Sequence, residues 1–141
     1  MKIRTMVKED IDSVLKLEEN YLDSSLGRDH FTLALDSDYS YYLVAEEDNA
    51  IVGYISSTID EYSEILNFVV DGAYQGKGIG TKLLLDVIDK AIEKNSKSIY
   101  LEVNEINVKA ISIYLKNGFK KDHIRKNYYK NNDAYVLIKE L

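Results

Sequence analysis

Residues 69 to 81 of the chain read Val69-Val70-Asp71-Gly72-Ala73-Tyr74-Gln75-Gly76-Lys77-Gly78-Ile79-Gly80-Thr81. An apolar run ends in this segment, and a pattern of apolar residues at helical spacing begins in it. Glycines let main-chain amides point into a concavity and let a large anion approach closely. The first turn of a helix adds unpaired N–H groups and the positive end of the helix dipole. The segment therefore predicts a phosphate-binding turn between a buried strand and a helix.

Two common phosphate motifs do not fit this turn. A dinucleotide fingerprint requires a glycine three residues after Gly78, where the chain has Thr81. A nucleoside triphosphate loop requires Ser or Thr directly after Gly-Lys, whereas Gly78 follows Gly76-Lys77. The pattern that remains is Gln75-x-x-Gly78-x-Gly80, and the alternative interpretation is a glycine-rich corner that binds no ligand.

The apolar pattern on both sides of the turn predicts a mixed α/β sandwich in the order α-α-β-β-β-α-β-α-β-β. Asn107 is predicted to N-cap the last helix and Gly118 to end it. A strand, the turn at Gly76–Gly80, a helix and a second strand follow one another, which implies at least one parallel pair of strands. Strands are predicted at 41–46, 51–59, 65–70, 98–104, 119–130 and 134–141, and the clearest helices at 8–21 and 80–95.

Composition narrows the classes of function. The 141 residues suit one domain, and the absence of cysteine excludes disulfides, thiolate nucleophiles and cysteine-ligated zinc. With His30 and His123 as the two histidines, no metal site is expected. The net charge of −6 argues against nucleic acid as the main partner. No signal core and no run of about 18 apolar residues occurs, so we expect a soluble, cytoplasmic protein without a membrane partner.

The second informative segment begins at Leu101 and ends at Phe119. Its pattern, L-E-V-x-x-x-N-x-x-A-I-x-x-Y-x-x-x-G-F, closely resembles the RimI-type peptide-alanine N-acetyltransferases, and Gln75-x-x-Gly78-x-Gly80 resembles the pyrophosphate motif of the wider GNAT family. The segment Arg125-Lys126-Asn127-Tyr128-Tyr129 also looks like this group. The resemblance implies the GNAT fold, with a central, mixed, mostly antiparallel sheet of six to seven strands and about four helices. It also implies acetyl-CoA as the cosubstrate.

The residue types in these segments suit acetyl transfer to an amine. A carboxylate in a cleft can accept the proton of the amine, and Glu102 lies on the polar face of a predicted strand. The departing thiolate needs a proton donor, for which Tyr114 is the candidate. A main-chain N–H near Val70 is the candidate donor to the carbonyl oxygen. The alternatives are a solvated strand residue for Glu102 and a core aromatic for Tyr114.

The resemblance assigns roles to particular positions. Glu102 matches the general base of the RimI-type enzymes, Tyr114 the general acid and Asn107 a cofactor contact. The strand before the turn matches the one whose backbone runs beside the pantetheine arm. The predicted cofactor-binding residues are Phe68, Val69, Val70, Gln75, Gly76, Lys77, Gly78, Ile79, Gly80, Thr81 and Asn107.

The N-terminal third departs from the RimI-type pattern. Residues 21–31 contain neither proline nor tryptophan, where that group commonly carries a Phe-Pro-Trp-like element that helps to form the acceptor side. Three functions therefore stay open. One is acetylation of a protein N-terminus, with a ribosomal protein that starts in alanine as the family-implied target. The others are acetylation of a small amine, such as a polyamine or amino sugar, and non-catalytic sensing of acetyl-CoA. The protein is expected to be a monomer or a homodimer.

Overall fold

The computed structural model describes residues 1–22 and 24–141, which form seven β-strands and four α-helices. The predicted α/β class and the predicted order of elements are confirmed. One strand, β1, was not predicted, because its four residues carry no clear alternation. The strands are β1 (Lys2–Thr5), β2 (Ser40–Glu47), β3 (Ala50–Thr58), β4 (Tyr62–Val70), β5 (Ser98–Asn104), β6 (Lys120–Tyr129) and β7 (Asn132–Glu140). The helices are α1 (Ile11–Tyr21), α2 (Arg28–Ala34), α3 (Ile79–Glu93) and α4 (Val108–Lys116).

All seven strands form one sheet in the order β1-β2-β3-β4-β5-β7-β6. Within the described residues, β4 and β5 are the one parallel pair and every other pair is antiparallel. This pair is the parallel one that the strand-turn-helix-strand pattern predicts, since α3 connects its two strands. The sheet is therefore mixed and mostly antiparallel, as predicted.

The parallel pair separates after a short stretch of pairing. Tyr62–Ile65 of β4 pairs with Ser98–Leu101 of β5, and both strands then continue without pairing to each other. The far edge of β4 stays paired with β3 as far as Val70, and the far edge of β5 stays paired with β7 as far as Asn104. A bulge accompanies the separation, because Ser57 pairs with Ile65 and Ser56 with Asn67, which leaves Leu66 as an extra residue. A wedge therefore opens between β4 and β5.

Apolar side chains cover the two faces of the sheet. On one face, α3 buries Leu83, Leu84 and Val87, and α4 adds Tyr114. On the other face, α1 and α2 contribute Val14, Leu17 and Phe31, which pack with Tyr42 and Tyr54 of the sheet. No helix in the described part of the chain is long and apolar enough to cross a membrane. These two layers fix the positions of α3 and α4 at the open end of the wedge.

Gly80, in the first turn of α3, allows this helix to lie close to its neighbours. A Cβ atom at Gly80 would lie 3.1 Å from Cζ of Phe68 and 3.3 Å from Cδ1 of Ile113. We expect Gly80→Ala to lower the free energy of unfolding by about 1 to 3 kcal/mol, because those side chains must move. Urea titration measures the change. Helix propensity by itself predicts a gain of about 1 kcal/mol, so a more stable variant would contradict the packing argument. Lys82→Ala, at an exposed position of α3, is the control.

Candidate active site

The glycine-rich turn has the geometry of an anion cradle. Gly76 and Gly78 have φ angles of 79° and 81°, in the left-handed region that favours glycine. Helix α3 begins at Ile79, and its first main-chain bond runs from Lys82 N to Gly78 O at 3.1 Å. Within the described residues, nothing accepts from the N–H groups of Ile79, Gly80 and Thr81. These donors are available to a phosphate group at the positive end of the helix dipole.

These donors face a cleft of about 770 Å³. Every predicted cofactor-binding residue lines it except Lys77, whose Nζ lies 5.3 Å from the ring centroid of Tyr74. Lys77 is therefore a neighbour of a cleft residue, and its predicted cofactor contact stays a prediction. The lining residues are Tyr21, Leu22, Phe68, Val69, Val70, Gly72, Tyr74, Gln75, Gly76, Gly78, Ile79, Gly80, Thr81, Asn107, Val108, Lys109, Ala110, Ser112 and Ile113.

Main-chain groups of β4 also face the wedge. Asp71 N donates to Val52 O at 2.8 Å, and opposing residues of an antiparallel pair alternate between bonded and non-bonded positions. The next pair, Val70 with Gly53, is therefore of the non-bonded kind, and Val70 directs its N–H and C=O away from β3, towards β5. The Val70 carbonyl accordingly accepts from Gln75 Nε2 at 3.0 Å. This geometry leaves the Val70 N–H available as a donor in the wedge.

Asn107 occupies the N-cap position of α4, as predicted, but its side chain makes no capping hydrogen bond. Its φ of −84° and ψ of 64° differ from the extended conformation that aims an N-cap side chain at the first turn. Its carbonyl does accept from Ile111 N at 3.1 Å, so the helix still begins there. Asn107 lines the cleft, and its cofactor contact stays a prediction.

Two side chains of the cleft, those of Tyr21 and Lys109, were not predicted from the sequence. The Tyr21 hydroxyl donates to Asp71 Oδ1 at 3.1 Å and accepts from Gly72 N at 3.0 Å, so it connects the end of α1 to the glycine-rich turn. Lys109 Nζ donates to Gln75 Oε1 at 2.9 Å and places a cation at the same turn. Both contacts join residues that are far apart in sequence, and no local pattern signals them.

A second, smaller cavity of about 70 Å³ occupies the wedge itself. Leu22, Phe68, Asn107 and Ala110 line both this cavity and the cleft, so the two spaces are neighbours with a shared wall. We call it the acceptor cavity. Its lining residues are Leu22, Ser24, Ile65, Leu66, Asn67, Phe68, Leu101, Glu102, Val103, Asn104, Asn107, Ala110, Tyr114 and Tyr129.

Tyr114 reaches the acceptor cavity from α4 and is 3% exposed. Its ring centroid lies 5.6 Å from that of Phe68 and 5.4 Å from that of Phe119, so the ring is part of the core. Burial raises the pKa of the Tyr114 hydroxyl well above its usual range. A hydroxyl that stays protonated at the edge of a cavity suits a proton donor, so the core position and the predicted acid role are compatible.

Glu102 is the one charged residue among the described residues that line the acceptor cavity. Its carboxylate accepts a hydrogen bond from Arg125 Nη1 at 2.5 Å, and this pair was not foreseen from the sequence. The side chain is 23% exposed, so it is neither fully solvated nor buried. The Glu102 carboxylate also raises the pKa of the neighbouring Tyr128. The described residues contain no group of three or more His, Cys, Asp or Glu placed to hold a metal ion.

Comparison with known proteins agrees with this geometry. A family model described as Acetyltransferase (GNAT) family matches residues 9–119. The chain belongs to the GNAT acetyltransferase family. The predicted fold and the predicted enzyme class, an N-acetyltransferase, are confirmed. A GNAT relative from Bacillus subtilis (strain 168), provisionally named a ribosomal protein bS18-alanine N-acetyltransferase, is 34% identical over 139 residues, which cover 96% of this chain and 91% of the relative.

Solved structures of GNAT proteins share the architecture. Ard1 from Thermoplasma volcanium superposes with a TM-score of 0.90 and 26% identity, over 99% of this chain and 97% of that one. A chain of the NatC complex, solved with a Gag peptide and CoA bound, has a TM-score of 0.87 and 25% identity, over 100% of this chain and 99% of that one.

The cradle predicts a selective loss of cofactor affinity in Gly78→Ala. An L-residue in the left-handed region costs about 1 to 2 kcal/mol, and a changed backbone turns the amides away from the anion. Isothermal titration with CoA is expected to show an affinity that is about tenfold lower or worse. Gly27→Ala is the matched control, because Gly27 also has a positive φ and open space around it but lies outside the cleft. Equal CoA affinity in the two variants would contradict the assignment.

The burial of Tyr114 predicts the pH dependence of its role. Because burial raises its pKa, the acid form persists as pH rises through the ordinary tyrosine value of about 10. We expect kcat to show no alkaline decline below about pH 10 from this group. Tyr114→Phe is expected to lower kcat about 100-fold or more, with the KM for acetyl-CoA little changed. A variant that retains full kcat would leave Tyr114 as a core residue only.

Proposed function

We propose that this GNAT protein transfers the acetyl group of acetyl-CoA to the N-terminal α-amine of a protein whose first residue is small. The observation that carries the proposal is the acceptor cavity, a space of about 70 Å³ beside the cofactor cleft. The neighbouring cleft measures about 770 Å³, so the far smaller cavity favours a small first side chain. Leu22, Leu66 and Phe68 give it an apolar wall that suits such a side chain.

The charge of the cavity favours an α-amine over a more basic one. A peptide α-amine has a pKa of about 7.7 to 8.0 and a lysine side chain about 10.4. An α-amine is therefore already partly neutral near neutral pH and needs a modest base. The Glu102 carboxylate is paired with the Arg125 guanidinium. A paired carboxylate suits the removal of a proton from an α-amine better than the deprotonation of a lysine.

We assign the steps of transfer as follows. The neutral amine attacks the thioester carbonyl carbon, and the Val70 N–H donates to the carbonyl oxygen as its negative charge develops. The carbon–sulfur bond then breaks, and the Tyr114 hydroxyl protonates the departing thiolate. Glu102 accepts the proton that the amine nitrogen loses, directly or through water. Glu102 then releases its proton to solvent, and Tyr114 takes up a proton from solvent. These two transfers restore the enzyme after one acetyl group has moved.

The cofactor role of the glycine-rich turn is part of this proposal. The N–H groups of Ile79, Gly80 and Thr81 would hold the pyrophosphate of acetyl-CoA, and β4 from Phe68 to Val70 would run beside the pantetheine arm. The open donors of α3 and the volume of the cleft support this assignment. The NatC structure contains both a peptide and CoA on the same architecture, which supports a shared arrangement.

We further propose a ribosomal protein that begins with alanine as the acceptor, and the name of the Bacillus subtilis relative supports this choice. Such a substrate would be met in the cytoplasm. Residues 1–141 would then act as one catalytic domain, since a single sheet runs through them. We propose that the protein acts as a monomer or a homodimer.

Acetylation of a polyamine is the competing function, and the charge balance of the whole chain favours it. A polycation would be attracted to a protein of net charge −6. The described lining of the acceptor cavity, however, offers Glu102 alone, and Arg125 already holds that carboxylate. Several amine groups would find no further carboxylate there, so we place this function second and a non-catalytic sensor third.

A panel of acceptors tests the proposal. We expect acetylation of a peptide that begins with alanine, slower acetylation of the same peptide with leucine first, and little reaction with an N-blocked lysine peptide or spermidine. Glu102→Gln should lower kcat about 100-fold on the alanine peptide at pH 7, because the proton acceptor is lost. Turnover of spermidine without turnover of any peptide would overturn the proposed acceptor. Absence of turnover with every acceptor, despite CoA binding, would favour the sensor.

A further inference from the structure

Glu18, near the end of α1, is a fully buried carboxylate that the proposed chemistry does not use. Its exposed fraction is 0%, and no described cation forms an ion pair with it. Four hydrogen bonds end on its two oxygens instead. Oε1 accepts from Ser25 Oγ at 2.8 Å and from Leu26 N at 3.2 Å, and Oε2 accepts from Asn67 Nδ2 at 2.7 Å and from the Tyr54 hydroxyl. A buried charge without a cation is costly, so its retention calls for a reason.

The donors come from two segments that contribute to the lining of the acceptor cavity, and from β3. Ser25 and Leu26 follow Ser24, which lines the cavity on one side. Asn67 lines the cavity on the β4 side, directly after the bulge at Leu66. One carboxylate therefore ties the segment 24–26 to the bulged part of β4. The Tyr54 hydroxyl, on β3, donates to Glu18 Oε2, the oxygen that also accepts from Asn67. Burial raises the pKa of Tyr54, so its hydroxyl remains a donor.

The chemistry of the four partners explains why a carboxylate occupies this position. The partners present a hydroxyl, a main-chain N–H, an amide NH₂ and a phenol, and all four act as donors to Glu18. An ionised carboxylate accepts at all of its lone pairs and has no hydrogen to oppose a donor. A glutamine would direct its own NH₂ group at two of these donors. An apolar residue would leave all four without an acceptor.

We propose that Glu18 is a positioning residue that holds the segment 24–26 against β4 and so sets the width of the acceptor cavity. The proposal rests on the proposed function in one respect, namely that this cavity receives the acceptor. The cofactor cleft does not depend on the same contacts, because Ser25, Leu26, Tyr54 and Asn67 are not among its lining residues. Loss of the clamp is therefore expected to act on the acceptor and to spare acetyl-CoA.

Ser25→Ala is the central variant of the test, because it removes one donor of the segment 24–26 and leaves the buried Tyr54 and Asn67 bonds intact. We expect the KM for the alanine peptide to rise about tenfold, as loss of a hydrogen bond to a charged group predicts. The kcat value and the KM for acetyl-CoA should stay close to those of the unchanged protein. Ser25→Thr retains the hydroxyl and should restore the KM for the peptide.

Two further variants keep the interpretation specific. Glu18→Gln should reproduce the effect of Ser25→Ala more strongly, whereas Glu19→Gln, at an exposed position of the same helix, should have none. If Glu18→Gln fails to fold, Ser25→Ala and Ser25→Thr still decide the question. An unchanged KM for the peptide in Ser25→Ala, or equal rises in the KM for peptide and for acetyl-CoA, would overturn the positioning role.

Hydrogen exchange on the protein without substrates separates this proposal from the proposed function. The Leu26 amide donates to Glu18, so its exchange should be slow in the unchanged protein and faster in Ser25→Ala and Glu18→Gln. Faster exchange in a protein that acetylates no peptide would uphold the clamp and reject the acceptor assignment. Unchanged exchange at Leu26 would reject the clamp whatever the acceptor is.

Discussion

The separation of β4 from β5 is the constraint on which the rest of the molecule depends. Strands in a sheet ordinarily satisfy their main-chain groups by pairing, and unpaired groups in the interior are costly. Here each strand keeps a partner on its far edge, so the sheet persists while the facing edges of β4 beyond Ile65 and β5 beyond Leu101 stay open. The open edges form a polar slot in a largely apolar core. A substrate with its own amide groups can occupy such a slot and complete the hydrogen bonding of β4.

Helices α3 and α4 border the slot because each is connected directly to one of the two strands that separate. Helix α3 leaves β4 at the open end of the wedge and returns to β5, so its N-terminus and unpaired N–H groups face the space between the strands. Helix α4 follows β5 and adds Asn107 and Tyr114 from the other side. The cleft and the acceptor cavity therefore share a wall, which is the geometry that the proposed direct transfer between two bound molecules requires.

Local patterns in the sequence were sufficient for most of the fold and for much of the candidate site. Helix α3, the turn before it and the β4–β5 pair follow from periodicity, glycine and chain order, all of which act over a few residues. Predictions failed where a longer-range contact overrides the local signal. Strand β1 has four residues and forms because β2 offers its edge. The last hairpin turns one residue earlier than predicted, since Asn132 already pairs with Tyr129.

The order of residue types along the chain is enough to predict the phosphate cradle, because glycine conformation and helix termini are properties of the local backbone. It also places Glu102 and Tyr114 on elements that can meet in a cleft. The three-dimensional packing, by contrast, supplies the partners of those side chains. Arg125 reaches Glu102 across β7, Lys109 reaches Gln75 across the cleft, and Glu18 accepts from Tyr54 of β3 and Asn67 of β4. Such contacts join positions far apart in sequence, and their energies depend on burial and distance, which no spacing of residues along the chain encodes.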